Sequence, residues 1–136
     1  MISIIVTAWE EPREVRECLR RFLNQKNLGQ SFEILAIAPD EPTKKEILKY
    51  SQKYPKIVRF IHQPREKGKN EMLNLLMKKA KGSIIIFVDG DVYVSENAVS
   101  EITKAYEDPR VGAATGKILP KNSRNTLFGY WAHWLT

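Results

Sequence analysis

The stretch Gly82-Ser-Ile-Ile-Ile-Phe-Val-Asp-Gly-Asp-Val-Tyr-Val94 is the one around which the rest of the chain is organised. Its five apolar residues, 84–88, run without alternation and end at Asp89-Gly90-Asp91. A short continuous apolar run rich in β-branched residues is typical of a strand buried on both faces, as in a parallel sheet. Two carboxylates separated by one glycine follow this strand, at the position where open α/β sheets bind their ligands.

The same residues have a second interpretation. Asp-Gly between apolar runs is a strong signal for a β-hairpin, with residues 87–88 and 92–94 as its arms. A calcium loop fits less well, because the later ligands and the bidentate glutamate are missing. The local residues leave the hairpin and a metal site open, so the organisation of the remaining chain has to decide.

Length and composition indicate one globular domain. The chain has 136 residues, of which 43% are hydrophobic and 28% are charged, and this suits a single domain with a real core. No apolar run approaches the roughly 20 residues that span a bilayer, and Met1 leads into an apolar strand without the basic segment of a signal peptide. The single cysteine, Cys18, excludes an internal disulfide and predicts a small core residue in a reducing, cytoplasmic setting.

Positive charge is concentrated in one segment. The formal net charge is +6, and residues 64–82 hold six cations and two anions, a net of +4. This cluster predicts an anionic partner such as phosphate, nucleic acid or a lipid headgroup. For Lys78, Lys79 and Lys81 we favour a solvated helix face. The segment lacks the interleaved aromatic residues of single-strand binders, so we expect no nucleic-acid partner.

Apolar strands alternate with amphipathic helices along the chain. Strands are predicted over residues 3–8, 32–38, 57–61, 84–88 and 111–119. Helices are predicted after Glu10-Glu11-Pro12, after Pro39-Asp40-Glu41-Pro42, over residues 69–81 with Gly82 as C-cap, and from Ser95 as N-cap. This alternation is typical of βαβ units around a parallel sheet, which predicts an α/β fold. With residues 84–88 as a central strand, the hairpin becomes the weaker interpretation.

The turn Asp89-Gly90-Asp91 suits one divalent cation. Mg²⁺ and Mn²⁺ favour oxygen ligands, few of them from protein, with substrate phosphates completing the coordination shell. Gly90 allows a close backbone approach and a sharp turn. His62 and His133 are isolated, and we expect them to be ordinary side chains. Neither G-x-G-x-x-G nor the P-loop pattern occurs.

Residues that suit a nucleotide follow the first two strands. Thr7, Ala8, Trp9 and Glu10 come after the first strand, and Asp40 comes after the second. An aromatic ring can stack on a base, and a carboxylate can accept from a base or ribose donor. Each residue also has a structural interpretation, since Trp9 can be a core or rim aromatic and Asp40 can cap the second helix.

Four blocks of the sequence, taken in order, resemble family 2 glycosyltransferases. They are Ser3-Ile-Ile-Val-Thr-Ala-Trp-Glu-Glu11, Phe32-Glu-Ile-Leu-Ala-Ile-Ala-Pro-Asp40, Lys67-Gly-Lys-Asn-Glu-Met-Leu-Asn74 and Phe87-Val-Asp-Gly-Asp91. The resemblance covers nearly the whole chain and matches the nucleotide-sugar-binding part of the GT-A fold. It implies a three-layer α/β/α sandwich with a mainly parallel, Rossmann-like sheet.

The resemblance implies a nucleotide-sugar site, formed by Thr7, Ala8, Trp9, Glu10, Asp40, Lys69, Asp89 and Gly90. In this site Asp40 would meet the base or ribose, and Lys69, together with Arg65 or Lys67, would lie near the diphosphate. Asp89 and Asp91 would hold Mg²⁺ or Mn²⁺, which would stabilise charge on the leaving nucleotide diphosphate.

The implied function is inverting transfer of a sugar from a UDP- or GDP-linked donor to an unknown glycan or lipid-linked acceptor. The expected location is cytoplasmic. Because many relatives act on lipid-linked acceptors, a peripheral position at the inner membrane face is the second interpretation. The alternative is a non-catalytic α/β module that binds a partner protein or an anionic surface.

Two features depart from the family pattern. Pro39 stands at the first of two positions that often hold paired aspartates, so only Asp40 remains. Inverting members also need a carboxylate base, and nothing after Asp108 is acidic. We therefore expect no catalytic base in this chain and predict one nucleotide-sugar-binding domain over residues 1–136 that is truncated at its C-terminus. The apolar residues 128–136 would meet a missing domain or a second copy.

Overall fold

A computed structural model describes residues 1–62, 68–117, 119–120 and 125–126. The chain divides into two units, Met1–Thr103 and Lys104–Thr136. The elements in chain order are β1 (Ile2–Thr7), α1 (Pro12–Leu23), β2 (Phe32–Ile37), α2 (Glu41–Lys53), β3 (Val58–Phe60), α3 (Gly68–Lys79), β4 (Ile84–Asp89) and α4 (Ala98–Lys104). A short 3₁₀ turn, Ala105–Glu107, follows α4. The single-domain boundary stays a prediction, and residues 128–136 lie outside the described part.

The four strands form one parallel sheet in the order β3-β2-β1-β4. In this register Thr7, the last residue of β1, lies opposite Ile37 on β2 and opposite Asp89 on β4. The carboxyl ends of three strands therefore meet at one edge of the sheet. The predicted α/β fold with a mainly parallel sheet is confirmed.

Helices cover both faces of the sheet because the strands are apolar on both faces. On one face, Ile4 and Val6 pack with α1 and α2 through Leu19, Phe22 and Ile47. On the other face, Ile5 and its neighbours on β2 pack with Met72 and Leu76 of α3. These side chains are at least nine-tenths buried, and continuous apolar strands are what a sheet covered on both sides requires.

The acid-proline pairs start α1 and α2 as predicted. Pro12 is the first residue of α1, where its missing N–H costs nothing. Asp40 is the N-cap of α2, and its side chain accepts from the backbone N–H of Thr43. Cys18, on the inner face of α1, is fully buried, as expected of a core residue.

Strand β4 is the edge strand of the described sheet, so the prediction of a central strand buried on both faces is wrong. It pairs with β1 on one side, and its residues are half-buried or exposed, with Phe87 53% exposed. An apolar run indicates a strand but does not report how many neighbours the strand has. The hairpin interpretation is also wrong, since residues 92–95 adopt no strand and β4 runs parallel to its partner.

Three other local predictions need correction. Helix α4 begins at Ala98, because Ser95 belongs to a preceding turn in which its carbonyl accepts from the Ala98 N–H. The strand predicted over residues 111–119 is wrong, since its described residues, 111–117 and 119, adopt neither strand nor helix. Helix α3 ends at Lys79, so Gly82 is not its cap.

Gly82 instead approaches the start of β1 closely. A Cβ at Gly82 would lie 2.5 Å from the backbone nitrogen of Ser3, and the Gly82 N–H donates to Ser3 Oγ at 2.8 Å. Ser3 Oγ in turn donates to Glu33 Oε1 at 2.8 Å. Glu33, which is 6% exposed, also accepts from the Lys81 N–H and from Arg59. This network joins β1, β2, β3 and the chain entering β4 at the edge opposite the strands' carboxyl ends.

No helix among the described residues is long and apolar enough to cross a bilayer.

Replacing Glu33 by glutamine should reveal a pH-dependent contribution to stability. Burial acts to raise the pKa of Glu33, but hydrogen bonds from Lys81, Ser3 and Arg59 outweigh it and hold the pKa below its ordinary value of 4.5. The carboxylate's contribution is therefore fully present above about pH 4.5 and is lost as the pH falls through the lowered pKa. We expect Glu33→Gln to lower the free energy of unfolding by about 1.5–3 kcal/mol at pH 7, and by less at pH 3, in urea titrations.

The matched control is Glu41→Gln, which removes a carboxylate that is 80% exposed and paired with Lys44. It should change the free energy of unfolding by less than about 1 kcal/mol. A Glu33→Gln effect that stays constant between pH 7 and pH 3 would contradict the assigned role.

Candidate functional site

A cleft of about 810 Å³ lies at the carboxyl edge of the sheet. Its walls come from the loops after β1 and β2, from the start of α3 and from the end of β4. The lining residues are Thr7, Ala8, Trp9, Glu10, Glu11, Pro39, Asp40, Gly68, Lys69, Met72, Asp89 and Asp91. All of the predicted site residues that the structure describes line this cleft, except Gly90.

Asp89 is held at the cleft by one residue of β1 and one residue of α3. Thr7 Oγ1 donates to Asp89 Oδ1 at 3.2 Å, and Lys69 Nζ approaches the same oxygen at 2.5 Å. The Gly90 N–H donates to the Thr7 carbonyl at 2.8 Å, which continues the β1–β4 pairing beyond the last strand residue. A turn closed by the Val92 N–H and the Asp89 carbonyl, 3.1 Å apart, then carries Asp91 into the exposed part of the cleft.

Gly90 is required by close packing. It is buried, and a Cβ at this position would lie 2.5 Å from Ala8 Cβ and 3.0 Å from Glu11 Oε2. Real Cβ atoms essentially never approach a neighbour to 2.5 Å. The predicted close approach of Gly90 is confirmed, and the neighbour it approaches is the loop after β1.

Glu11 is a cleft residue whose position the sequence did not predict. Burial, followed by the negative charges of Asp91 and Asp89, raises the pKa of Glu11. Its place before Pro12 suggested only a favourable charge at a helix start, although it ends the first block of the family resemblance. No group of three or more histidine, cysteine or acidic residues in the described part is arranged to hold a metal ion, so Glu11 adds negative charge without completing a ligand set.

Asp40 organises the loop that carries Trp9. Its Oδ1 accepts from the Glu10 N–H at 2.8 Å, and its Oδ2 accepts from the Thr43 N–H at 3.0 Å. Burial acts to raise the pKa of Asp40, but these N–H donors outweigh it and the pKa is lowered. The hydrogen bond from the Glu10 N–H stabilises the backbone of Glu10 at a φ of 57°, which is unusual for a residue other than glycine. The capping role of Asp40 is thus confirmed, while its contact with a base or ribose stays a prediction.

Trp9 projects at the mouth of the cleft, where it is 66% exposed. This excludes the core interpretation of Trp9. A large aromatic ring that is left open to solvent beside a polar cleft can stack on a planar ligand. Met72 on α3 also lines the cleft and is 7% exposed, so part of the lining is apolar.

The chain that leaves Asp91 is fastened to α1. Arg21 donates from Nη1 to the Val94 carbonyl at 3.1 Å, and its guanidinium lies 5.4 Å from the centre of the Tyr93 ring. Gln25, two residues beyond the end of α1, donates to the Ser95 carbonyl at 2.6 Å. The contacts span about 70 residues of sequence, and no local pattern predicted them.

Several predicted residues do not contribute to the described cleft. Arg65 and Lys67 lie outside the described residues, as does His133. His62 is exposed and does not line the cleft. Burial, followed by the charges of Asp91, Glu11 and Asp89, raises the pKa of Cys18 to about 12. Its thiol therefore stays protonated at neutral pH and is a poor nucleophile.

Comparison with known proteins finds similar chains along most of the sequence. The family model described as Glycosyl transferase family 2 matches residues 3–133. An N-acetylglucosaminyltransferase of Sinorhizobium fredii is 24% identical over 139 residues, which cover 99% of this chain and 32% of that protein.

Two solved structures have a similar fold. The mannosyltransferase PcManGT from Pyrobaculum calidifontis, in complex with GDP-Man and Mn²⁺, has a TM-score of 0.74 at 20% identity and covers 82% of this chain and 33% of its own. S. aureus TarS 1-349, in complex with UDP-GlcNAc, has a TM-score of 0.60 at 20% identity and covers 89% of this chain and 38% of its own. The chain thus spans about a third of the length of these proteins.

Replacing Gly90 by alanine should destabilise the protein, because the new methyl group cannot fit against Ala8 without moving the loop after β1 or the end of β4. We expect the free energy of unfolding to fall by about 1–3 kcal/mol in urea titrations. Gly112→Ala is the matched control, since a Cβ there would meet no atom within 4 Å. Its free energy of unfolding should stay level or rise by up to about 1 kcal/mol. Equal stabilities for the two variants would contradict the close packing of Gly90.

Proposed function

The chain belongs to glycosyl transferase family 2, and we propose that it binds a nucleotide-diphosphate sugar through a divalent metal and presents the sugar for inverting transfer to an acceptor. One observation carries the proposal: Asp89 and Asp91 emerge from a parallel strand into a cleft that also holds Lys69. Carboxylates for a cation and an ammonium for a phosphate thereby meet at the sheet edge where α/β folds bind nucleotides.

The side chains present fit Mg²⁺ or Mn²⁺. Asp89 is about half-exposed and Asp91 is exposed, and both line the cleft. Two carboxylate ligands leave most of an octahedral shell to water and substrate phosphates, as is usual for Mg²⁺ sites in phosphate-transferring proteins. When bound, the metal would supply Lewis-acid stabilisation of the charge that builds on the leaving nucleotide diphosphate.

The other walls of the cleft suit the rest of a nucleotide sugar. The exposed ring of Trp9 offers a stacking surface for the base, and its loop is held in place by Asp40. Thr7 and Ala8 line the same cleft, and in this proposal they contact the nucleotide. A volume of about 810 Å³ lies within the roughly 300–1,000 Å³ of small-molecule and cofactor pockets.

The donor is a UDP- or GDP-linked sugar in this proposal. Two structurally similar proteins were solved with GDP-Man and with UDP-GlcNAc, and both ligands share the ribose and diphosphate that the cleft residues suit. The acceptor is a glycan or a lipid-linked saccharide. We assign the acceptor base to no residue of this chain, because Glu96 and Glu101, the acidic residues between Asp91 and Thr103, do not line the cleft.

Asp91→Asn tests the proposal by titration calorimetry with UDP and GDP, each with and without Mn²⁺. Loss of a ligand carboxylate should weaken the metal-dependent affinity for the nucleotide by at least about tenfold. Wild-type protein should bind one of the two nucleotides more tightly with Mn²⁺ than without it.

Glu101→Gln is the matched control, because it removes a carboxylate that is exposed on α4 and does not line the cleft. It should leave the affinity unchanged. Wild-type protein that binds neither nucleotide with Mn²⁺ would overturn the proposal, and so would undiminished binding by Asp91→Asn. The first result would favour a non-catalytic binding module.

A further inference from the structure

Lys69 and Asp89, which both line the cleft, form an ion pair. Lys69 Nζ lies 2.5 Å from Asp89 Oδ1, and Thr7 Oγ1 donates to the same oxygen from 3.2 Å. One oxygen of this carboxylate therefore already carries two donors. We propose that Lys69 is an exchangeable counter-ion of Asp89: a divalent metal displaces it, and the donor's diphosphate then holds it. This inference deepens the proposed function and depends on it.

Lys69 and a metal compete for the same place. A metal ligated by Asp89 would lie about 2.0–2.1 Å from a carboxylate oxygen, as Mg²⁺ does. An ammonium group 2.5 Å from Oδ1 would then sit within a few ångströms of a divalent cation. Two cations at such a distance repel each other, even where water partly screens their charges. The lysine must leave before the metal can bind at full strength.

The charge around the cleft explains why the lysine rests on Asp89. Five carboxylates line the described cleft, those of Glu10, Glu11, Asp40, Asp89 and Asp91, and Lys69 supplies the one cation among the described lining residues. Without ligand, its ammonium group offsets part of this negative charge. Of the five, Asp89 is the carboxylate it contacts.

The lysine is free to exchange because it is long, flexible and open to water. Its side chain is 56% exposed, and that of Asp89 is 51% exposed. Exposed ion pairs of this kind are weak and break readily. Lys69 is also the second residue of α3, so its stem starts from a helix end that faces the cleft. A diphosphate bound to the metal offers the displaced ammonium new anionic oxygens at the same edge.

The exchange predicts two effects of opposite sign for one substitution. Removing Lys69 relieves the competition, so the metal alone should bind more tightly. The same change removes a cation from the diphosphate, so the nucleotide should bind more weakly once the metal is present. A lysine that only stabilised the fold would not produce the first effect. The positive coupling between metal and nucleotide, which is reciprocal by thermodynamic linkage, should shrink as well.

Lys69→Met tests the exchange, with Mn²⁺ binding followed by the loss of the free-ion electron paramagnetic resonance signal. In the absence of nucleotide, the affinity for Mn²⁺ should rise about two- to fivefold relative to wild type, the range expected when an exposed ion pair is removed. At saturating Mn²⁺, calorimetry should show an affinity for UDP or GDP that is lowered by about tenfold.

Lys79→Met is the matched control, because it removes the same charge from an exposed position on the same helix, outside the cleft lining. Both of its affinities should equal those of wild type, and circular dichroism should show both variants folded. An unchanged or weaker affinity of folded Lys69→Met for Mn²⁺ alone would overturn the exchange.

The two proposals fail in different ways. If wild-type protein binds nucleotide with Mn²⁺, and Lys69→Met weakens both binding steps, the proposed function stands and the exchange is refuted. If wild-type protein binds neither UDP nor GDP with Mn²⁺, the proposed function is refuted and the exchange falls with it.

Discussion

Parallel pairing of β1 with β4, in the register that sets Thr7 opposite Asp89, determines where the polar groups of the cleft lie. The pairing continues one residue past the strand through the Gly90 N–H and the Thr7 carbonyl, and the missing side chain of Gly90 allows the loop after β1 to close on it. A slip of one residue would turn Asp89 to the opposite face of the sheet. The position of the carboxylate pair is thus a consequence of sheet geometry.

The cleft is acidic before any ligand arrives, and this constrains how it can work. Neighbouring carboxylates raise the pKa of Glu11 in addition to the effect of its burial, and the ammonium group of Lys69 rests on Asp89. Such a site attracts a cation and repels a free diphosphate. In the proposed function, metal and nucleotide would therefore favour each other's binding, and Lys69 would link the two because both of its alternative partners, Asp89 and the diphosphate, are anions.

Much of the fold followed from local sequence, because local sequence specifies helix starts and apolar runs. The proline of each acid-proline pair lies in the first turn of its helix, and the residues around Asp89 lie at the predicted edge of the sheet. Features that depend on residues far apart in the sequence could not be predicted from local sequence. The edge position of β4 depends on how many strands pair with it, and the Arg21–Tyr93 contact joins residues far apart in sequence. Glu11 was predicted as part of a helix start, and only the tertiary fold brings it beside Asp91.

The most direct test of metal-mediated diphosphate binding is a crystal structure of the protein grown with Mn²⁺ and UDP or GDP, with anomalous scattering recorded to locate manganese. We expect one strong anomalous peak bonded to Asp89 or Asp91 and to oxygens of the diphosphate, with Lys69 turned from Asp89 towards the phosphates. A nucleotide bound in the cleft with no manganese between its diphosphate and these two aspartates would contradict it.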